Sequence, residues 1–167
     1  MGWQQTCTCP KAPKMPHILT KYFGSIEYQE TDVVQFPSGL PAFDQETEFV
    51  LIEPPSSAPM VFLQSLPQSS LCFLALSILA IAPAYSLAVT EEDLQSLQLE
   101  PGRQPRIGDE VACLALIAVA EDGRITANLL APIVINRLNR LAVQAIRIDS
   151  AYSHQHQVAA PTEDVCS

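Results

Sequence analysis

The sequence predicts a mainly β protein in which about nine short, mostly antiparallel strands close into a small barrel or barrel-like sandwich with one short helix. Three observations support this prediction. Short runs of β-branched, aromatic and leucine residues alternate with clusters of Pro, Gly, Ser and Asp. An Asp-Gly pair at 122–123 is a preferred turn of a two-stranded hairpin. Only residues 90–99 carry both the start and the stop signals of a helix.

The predicted elements follow from these patterns in chain order. A polar turn joins residues 22–28 and 33–36 into a predicted hairpin. Residues 44–48 predict a single helical turn, and strands are predicted at 49–52, 61–66, 71–79 and 85–89. The last predicted unit is an antiparallel meander of residues 111–120, 126–136 and 141–148.

The predicted helix begins at Thr90 and ends before Pro101-Gly102. The Thr90 hydroxyl can cap the first turn, and the three acids that follow it at 91–93 favour the positive end of the helix dipole. Leu94 and Leu97 are expected to face the core.

The strand at 126–136 has two apolar faces. Alternation places Leu129, Ala131, Ile133 and Ile135 on one face, and Asn128, Leu130, Pro132, Val134 and Asn136 on the other. A proline cannot donate to a ladder, so the strand is expected at a sheet edge or around a bulge. Two interpretations follow: the strand is buried by its own domain, or it is an edge that binds another protein.

Length and composition indicate one globular domain. The chain has 167 residues, 16% charged and 48% hydrophobic, a balance typical of a folded protein with its own core. A net charge of -9 argues against direct nucleic-acid binding, which needs basic residues to displace counterions from phosphates. The same charge suits a basic protein partner, or it serves solubility alone.

The chain ends and the cysteines indicate a cytoplasmic protein. We expect residues 1–17 to be a disordered extension, 18–157 a single β domain and 158–167 a flexible tail. No signal peptide is recognisable, and Met15 offers an alternative first residue. Five scattered cysteines form neither a disulfide framework nor a zinc-ligand pattern, so reduced thiols are expected.

A long uncharged stretch raises the question of a membrane span. No charged residue occurs from 54 to 89, yet the nearly continuous apolar run within it, residues 71–82, is far shorter than the roughly 20 residues that a spanning helix needs. Pro83 follows it, and no basic cluster flanks it. Buried strands are the better prediction.

Catalytic chemistry is poorly represented. The six glycines form no phosphate-binding loop, and His154-x-His156 has no acid or cysteine at matched spacing to complete a metal site. We therefore expect no enzyme activity, no metal and no cofactor. A small hydrolase using Asp149 with His154 or His156 remains as a weak alternative.

Five ordered motifs resemble one known family. Residues 126–136, Thr-Ala-Asn-Leu-Leu-Ala-Pro-Ile-Val-Ile-Asn, resemble the signature of the FliW flagellar assembly factors. The segments 21–27, 36–43, 62–65 and 149–153 also resemble that family, in the right order. The resemblance covers about residues 18–157. The sequence departs from the family pattern at Ala42, where glycine is usual, and at residues 77–84.

The resemblance implies a function that composition alone does not reach. Members of the family bind flagellin and also the carbon storage regulator CsrA, a small basic protein that represses translation of flagellin messenger RNA. When flagellin no longer occupies the factor, the factor sequesters the regulator and flagellin synthesis resumes. We expect a monomer with these partners and no membrane contact; the alternative is a chaperone or scaffold for another exported subunit, without translational control.

The candidate partner-binding residues come from the proline- and glycine-containing loop, from the signature strand and from the closing motif. They are Phe36, Pro37, Gly39, Leu40, Asn128, Leu130, Pro132, Val134, Asn136 and Tyr152. Pro37 stiffens the loop and Gly39 can adopt a positive φ, so Leu40 could be presented in a fixed pose.

Overall fold

The structure, a computed structural model, describes residues 15–147 and 152–158. Ten strands and two short α-helices lie within these ranges. The strands are β1 His17–Thr20, β2 Gly24–Glu27, β3 Val33–Gln35, β4 Glu48–Ile52, β5 Val61–Ser65, β6 Cys72–Ser77, β7 Val111–Val119, β8 Ile125–Asn136, β9 Ala142–Gln144 and β10 His156–Gln157. The helices are α1 Ile78–Ile81 and α2 Glu91–Ser96, and two 3-10 turns span Glu30–Asp32 and Pro55–Ser57.

Eight of the strands form one antiparallel sheet that nearly closes on itself. Its order is β10-β8-β7-β6-β5-β4-β3, and β9 also pairs with β8. The far edge returns to the start, because Gln35 in β3 forms a parallel bridge to Leu141, next to β9. The Gln35 N–H donates to the Arg140 carbonyl at 3.0 Å. The predicted class, a mainly β antiparallel barrel-like fold, is confirmed.

Two apolar clusters lie on the two faces of this sheet. The inner cluster draws at least one side chain from each strand from β3 to β9: Val34, Phe49, Leu63, Ala75, Leu114, Ile133 and Ala142. The outer cluster covers β7 and β8 with the chain between α1 and the end of α2, including Tyr85, Leu87, Leu94 and Leu97. The single chain therefore buries both faces of its central strands.

The first predicted hairpin is wrong. β2 pairs with β1, through Ile26 opposite Ile18, and β3 pairs with β4, through Val33 opposite Val50. The polar residues between β2 and β3 form a 3-10 turn closed by Asp32, whose carboxylate accepts the Gln29 N–H at 3.0 Å. This turn separates the two strands, so each finds its partner elsewhere. Residues 44–48 also form no helix, since they turn directly into β4.

The predicted strand at 85–89 is also absent. The segment is extended and largely buried, but its end is held by a side chain instead of a neighbouring strand. The Gln104 amide accepts the Val89 N–H at 2.7 Å and donates to the Val89 carbonyl at 2.9 Å. A side-chain amide therefore satisfies main-chain groups that a ladder normally pairs.

The predicted helix is confirmed in a shorter form. Thr90 Oγ1 accepts the Asp93 N–H at 3.1 Å, and Leu94 and Leu97 are fully buried. The helix ends before Gln98, which has φ +55°, rather than at Pro101-Gly102. Within the described ranges, no helix is long and apolar enough to cross a membrane.

Candidate partner-binding site

Strand β8 contains a bulge that reverses its faces. Leu114 of β7 pairs with Ile133 and Leu116 pairs with Asn128, so the four residues 129–132 lie opposite Ala115 alone. Leu129 consequently packs in the outer cluster, whereas Ile133 and Ile135 pack in the inner one. The predicted common face of these residues is wrong, because regular alternation cannot continue through inserted residues. Pro132 lies in the bulge, one of the two places predicted for it.

Strand β8 is not an edge. It pairs with β7 on one side and with both β9 and β10 on the other. The interpretation of this strand as an exposed edge is therefore corrected: its own domain covers it.

The bulge satisfies its main-chain polar groups within the chain. Asn128 Oδ1 accepts the Leu130 and Ala131 N–H groups at 3.1 and 3.0 Å, and Pro132 has no N–H to satisfy. The remaining groups are paired as follows: Leu129 N–H with the Ser153 carbonyl, Leu129 carbonyl with the Tyr85 hydroxyl, Leu130 carbonyl with Arg147 N–H, Ala131 carbonyl with the Gln144 amide and Pro132 carbonyl with Ala145 N–H, all at 2.9–3.0 Å. The bulge is thus a fully bonded unit.

Two tyrosines support the bulge from the outer side. The rings of Tyr85 and Tyr152 lie 4.3 Å apart between centroids, and the Tyr152 hydroxyl accepts the Ser86 N–H at 2.8 Å. The Arg147 guanidinium lies 5.2 Å from the Tyr152 ring centre, within cation–π range. Burial raises the pKa of Tyr85 from 10.0 to about 12, so its hydroxyl keeps the proton that it donates to the bulge at alkaline pH values where a solvated tyrosine begins to ionise.

The predicted loop at 36–43 is tightly folded. Phe36 and Leu40 are buried in the inner cluster, while Pro37 is exposed. Gly39 has φ +68°, and a Cβ at this position would lie 2.6 Å from the Asp44 carbonyl oxygen, so only glycine fits. Ala42, which stands where the family usually has glycine, keeps a left-handed φ of +69°. The loop therefore has a glycine-like geometry at Ala42 at a cost in backbone strain.

A cleft of 310 Å³ opens beside this loop, at the seam of the sheet. We call it the acidic cleft; it is lined by Ser38, Gly39, Pro41, Asp44, Glu92, Asp93, Ser96, Ala142, Val143 and Gln144. It arises because β9 and β3 are joined only through the bridge at Leu141, so the sheet does not close fully. The loop, the first turn of α2 and β9 form its walls.

The acidic cleft carries unbalanced negative charge. Asp44, Glu92 and Asp93 line it, no lysine or arginine does, and none of the three carboxylates forms an ion pair with another described residue. Gln144 connects the cleft to the bulge, since its amide donates to the Ala131 carbonyl. The arrangement offers hydrogen-bond acceptors and charge to a cationic side chain of another molecule.

The structure separates the ten candidate residues by exposure. Phe36, Leu40, Pro132, Val134 and Asn136 are buried; Gly39, Asn128, Leu130 and Tyr152 are half-buried; Pro37 is exposed. The Asn136 amide donates to the Leu97 carbonyl at 2.8 Å, and its oxygen accepts the Leu138 N–H at 2.9 Å. Partner contact by these residues stays a prediction, and only Gly39 among them lines the acidic cleft.

Sequence reasoning missed the acids of the cleft. Glu92 and Asp93 were assigned only to the start of the helix, and Asp44 only to a turn. No local pattern links Asp44 to them, because the three are brought together by the closure of the sheet. The order of the strands around the barrel is the only signal that could have joined them.

The residues of the hydrolase alternative are not assembled by the described structure. His156 is exposed in β10, and His154 is exposed just before that strand. Asp149 lies outside the described residues. Among the residues that are described, no group of three or more His, Cys, Asp or Glu side chains is placed to hold a metal ion. Cys72 and Cys113 are free thiols, and burial raises the pKa of Cys113 to about 12.

The fold and the cleft define a class: a small, nearly closed β barrel with an acid-lined opening at its seam. The sequence model of the family described as FliW protein matches residues 17–158. A flagellar assembly factor FliW from Syntrophomonas wolfei is 33% identical, over 87% of this chain and 90% of the relative. The Geobacillus kaustophilus FliW is 37% identical over 84% and 94%, and the Bacillus subtilis FliW is 33% identical over 84% and 95%.

The fold comparison gives the same result. A crystal structure of the flagellar assembly factor FliW superimposes with a TM-score of 0.73 at 34% identity, covering 85% of this chain and 96% of the other. The chain belongs to the FliW family of flagellar assembly factors.

Proposed function

We propose that this protein binds flagellin and, when flagellin is absent, sequesters a CsrA-type translational regulator in the cytoplasm, which relieves repression of flagellin synthesis. Family membership supports the flagellar role. The acidic cleft is the observation that supports binding of a basic regulator, because its carboxylates have no cationic partner among the described residues.

The charges favour the regulator over its RNA. With a formal net charge of -9, the protein attracts a basic partner over a distance comparable to the Debye length, about 8 Å at physiological salt, and repels phosphates. Long-range attraction acts on the association rate more than on dissociation. The proposal therefore makes a kinetic statement that can be measured.

The test removes the charge of the cleft without changing its shape. In the variant Asp44→Asn, Glu92→Gln, Asp93→Asn, association with purified CsrA should slow several-fold, and the dependence of the rate on salt should flatten. The matched control Glu48→Gln, Glu53→Gln, Glu121→Gln removes three exposed carboxylates that do not line the cleft. Equal rates for both variants would exclude the cleft as the binding site, and a rate independent of salt in the wild type would exclude electrostatic recognition.

The identity of the partners is tested separately. Capture from native lysate of the source organism should recover flagellin together with the regulator. Recovery of another exported subunit in their place would support the alternative of a chaperone without translational control. Alanine at both His154 and His156 should change neither result, whereas loss of a hydrolytic activity would favour the hydrolase.

A further inference from the structure

The turn that follows β8 exposes a leucine and an arginine to solvent, and a second arginine in it is half-buried. We call residues 137–140, Arg-Leu-Asn-Arg, the arginine turn. Leu138 is 94% exposed, the largest fraction among the exposed large hydrophobic residues of the described chain. At this exposure the Leu138 side chain contributes little to the packing of the fold, and it lies between two arginines.

The arginine turn is held in one shape by asparagines. Asn136 Oδ1 accepts the Leu138 N–H at 2.9 Å, and Asn139 Oδ1 accepts the Leu141 N–H at 3.0 Å. Arg140 adopts φ +64°, and its N–H donates to the Asn136 carbonyl at 2.9 Å. The exposure of Leu138 is therefore imposed by a bonded backbone.

The two arginines lack acidic partners. Arg103, Arg106 and Arg124 all pair with carboxylates. Over residues 15–147 and 152–158, neither Arg137 nor Arg140 has a carboxylate within 4.0 Å. Arg137 donates to the Gly108 carbonyl. Arg140 Nη2 donates to the Asp32 carbonyl at 3.4 Å, and its buried Nε has no hydrogen bond.

Concave surfaces flank the turn on both sides. Arg137 and Leu138 line a cavity of 710 Å³ and a second cavity of 450 Å³ toward β3. The first cavity is also lined by Glu100, Asp109 and Glu110, which pair with other arginines. Arg140 lines only the second. Glu30 also lines the second cavity but forms no ion pair with either arginine.

We infer that the arginine turn is the docking site for an amphipathic segment of a protein partner, whose apolar residues cover Leu138 and whose carboxylates pair with Arg137 and Arg140. The assignment of the partner rests on the proposed function. Of its two partners, the basic regulator is repelled by the arginines and attracted by the acidic cleft, so the turn is assigned to flagellin. The cleft and the cavity beside β3 share no lining residue.

Other occupants fit the charges less well. Nucleic acid would meet two arginines on a protein of net charge -9, and a second copy of this chain would add the same net charge. An acidic and apolar peptide offers carboxylates to two guanidinium groups that otherwise bond only to main-chain carbonyls, and it covers the exposed leucine.

The test compares flagellin and regulator binding for two variants. Leu138→Ser and Arg137→Gln/Arg140→Gln should each weaken binding of purified flagellin about tenfold or more, the loss expected at a central interface residue, and leave binding of purified CsrA unchanged. The controls are Leu19→Ser, another strongly exposed leucine on β1, and Arg124→Gln, an exposed arginine paired with Asp122. Both controls should bind flagellin like the wild type.

The outcomes separate this inference from the proposed function. Unchanged flagellin binding in both turn variants overturns the inference and leaves the proposed function intact, as does a loss confined to the regulator. A wild type that binds neither protein overturns both. If a single-stranded RNA oligonucleotide binds the wild type and not the arginine variant, the turn is a phosphate site and the inference is wrong.

Discussion

The bulge within strand β8 and the turn that follows the strand use asparagine in opposite ways. In the bulge, Asn128 accepts two main-chain N–H groups, and every other main-chain polar group is also paired within the chain. In the arginine turn, Asn136 fixes a backbone that leaves Leu138 in solvent and two arginines without carboxylates. The comparison indicates that an irregular region whose main-chain groups are all hydrogen-bonded within the chain serves the fold. A region whose arginines have no carboxylate partner is suited to binding another protein.

The largest expected effect is on the bulge. Asn128→Ala leaves the N–H groups of Leu130 and Ala131 without an acceptor. Because each unpaired buried donor costs ~1–3 kcal/mol, the free energy of unfolding should fall by about 2–6 kcal/mol. Urea titration measures this change. Asn128→Asp keeps an acceptor oxygen and should lose less.

The same variant tests whether Asn128 serves the fold or contacts a partner. If Asn128→Ala keeps its stability and binds a partner more weakly, the amide contacts that partner, and the bulge belongs to the binding surface. Affinity must be measured on the folded fraction, so that lost folding is not mistaken for lost binding.

The next largest loss of stability is expected from removing the Tyr85 hydroxyl, which donates to the bulge. Tyr85→Phe removes the donor to the buried Leu129 carbonyl and should cost about 1–2 kcal/mol of stability. Tyr152→Phe is the matched control; the Ser86 N–H that it leaves free belongs to an exposed residue, which water can reach. Equal losses in the two variants would contradict a special role for the bonds of the bulge.

The raised pKa of Tyr85 predicts that the stability of the fold depends on pH in the alkaline range. Burial raises the pKa of Tyr85 from 10.0 to about 12 and that of Cys113 from 9.0 to about 12. Between these values the unfolded chain binds fewer protons than the folded one, so stability should be complete below pH 9 and fall as pH rises toward 12. Tyr85→Phe should make the fall less steep, which thermal unfolding across this pH range measures.

A smaller effect is expected from Arg140→Gly in the arginine turn. Arg140 holds φ +64°, which costs an L-residue roughly 1–2 kcal/mol, and glycine relieves this strain but loses about 0.5–1 kcal/mol of entropy. Stability should therefore rise by up to about 1.5 kcal/mol while flagellin binding weakens. Ala42→Gly, at φ +69°, is the control that should gain similar stability without affecting flagellin.

The smallest effect on stability is expected at Leu138. Because its side chain is 94% exposed, Leu138→Ser should change the free energy of unfolding by less than about 0.5 kcal/mol. A clear destabilisation would mean that Leu138 packs in solution and is not a surface for a partner. Differential scanning calorimetry gives the answer independently of any binding assay.

The class of fold, the helix start at Thr90 and most strands could be predicted from the sequence, because they depend on local period, turn residues and capping. It also placed Pro132 at either an edge or a bulge, from the missing N–H alone. The sequence shows that alanine replaces the usual glycine at position 42, but it does not show that Ala42 adopts a left-handed φ.

The choice between an edge and a bulge for Pro132 depended on the three-dimensional fold, which also reverses the faces of β8 beyond Asn128. The hydrogen-bond partners of the bulge lie far away in the sequence: Tyr85 and Gln144 donate to its carbonyls, and the Ser153 carbonyl accepts from it. No local pattern could therefore show that residues 129–132 lie opposite a single residue of β7. The acidic cleft has the same origin: Asp44, Glu92 and Asp93 meet because β9 returns to β3 at Leu141. Closure of a sheet joins residues by strand order and not by spacing, which is why these sites emerge only in three dimensions.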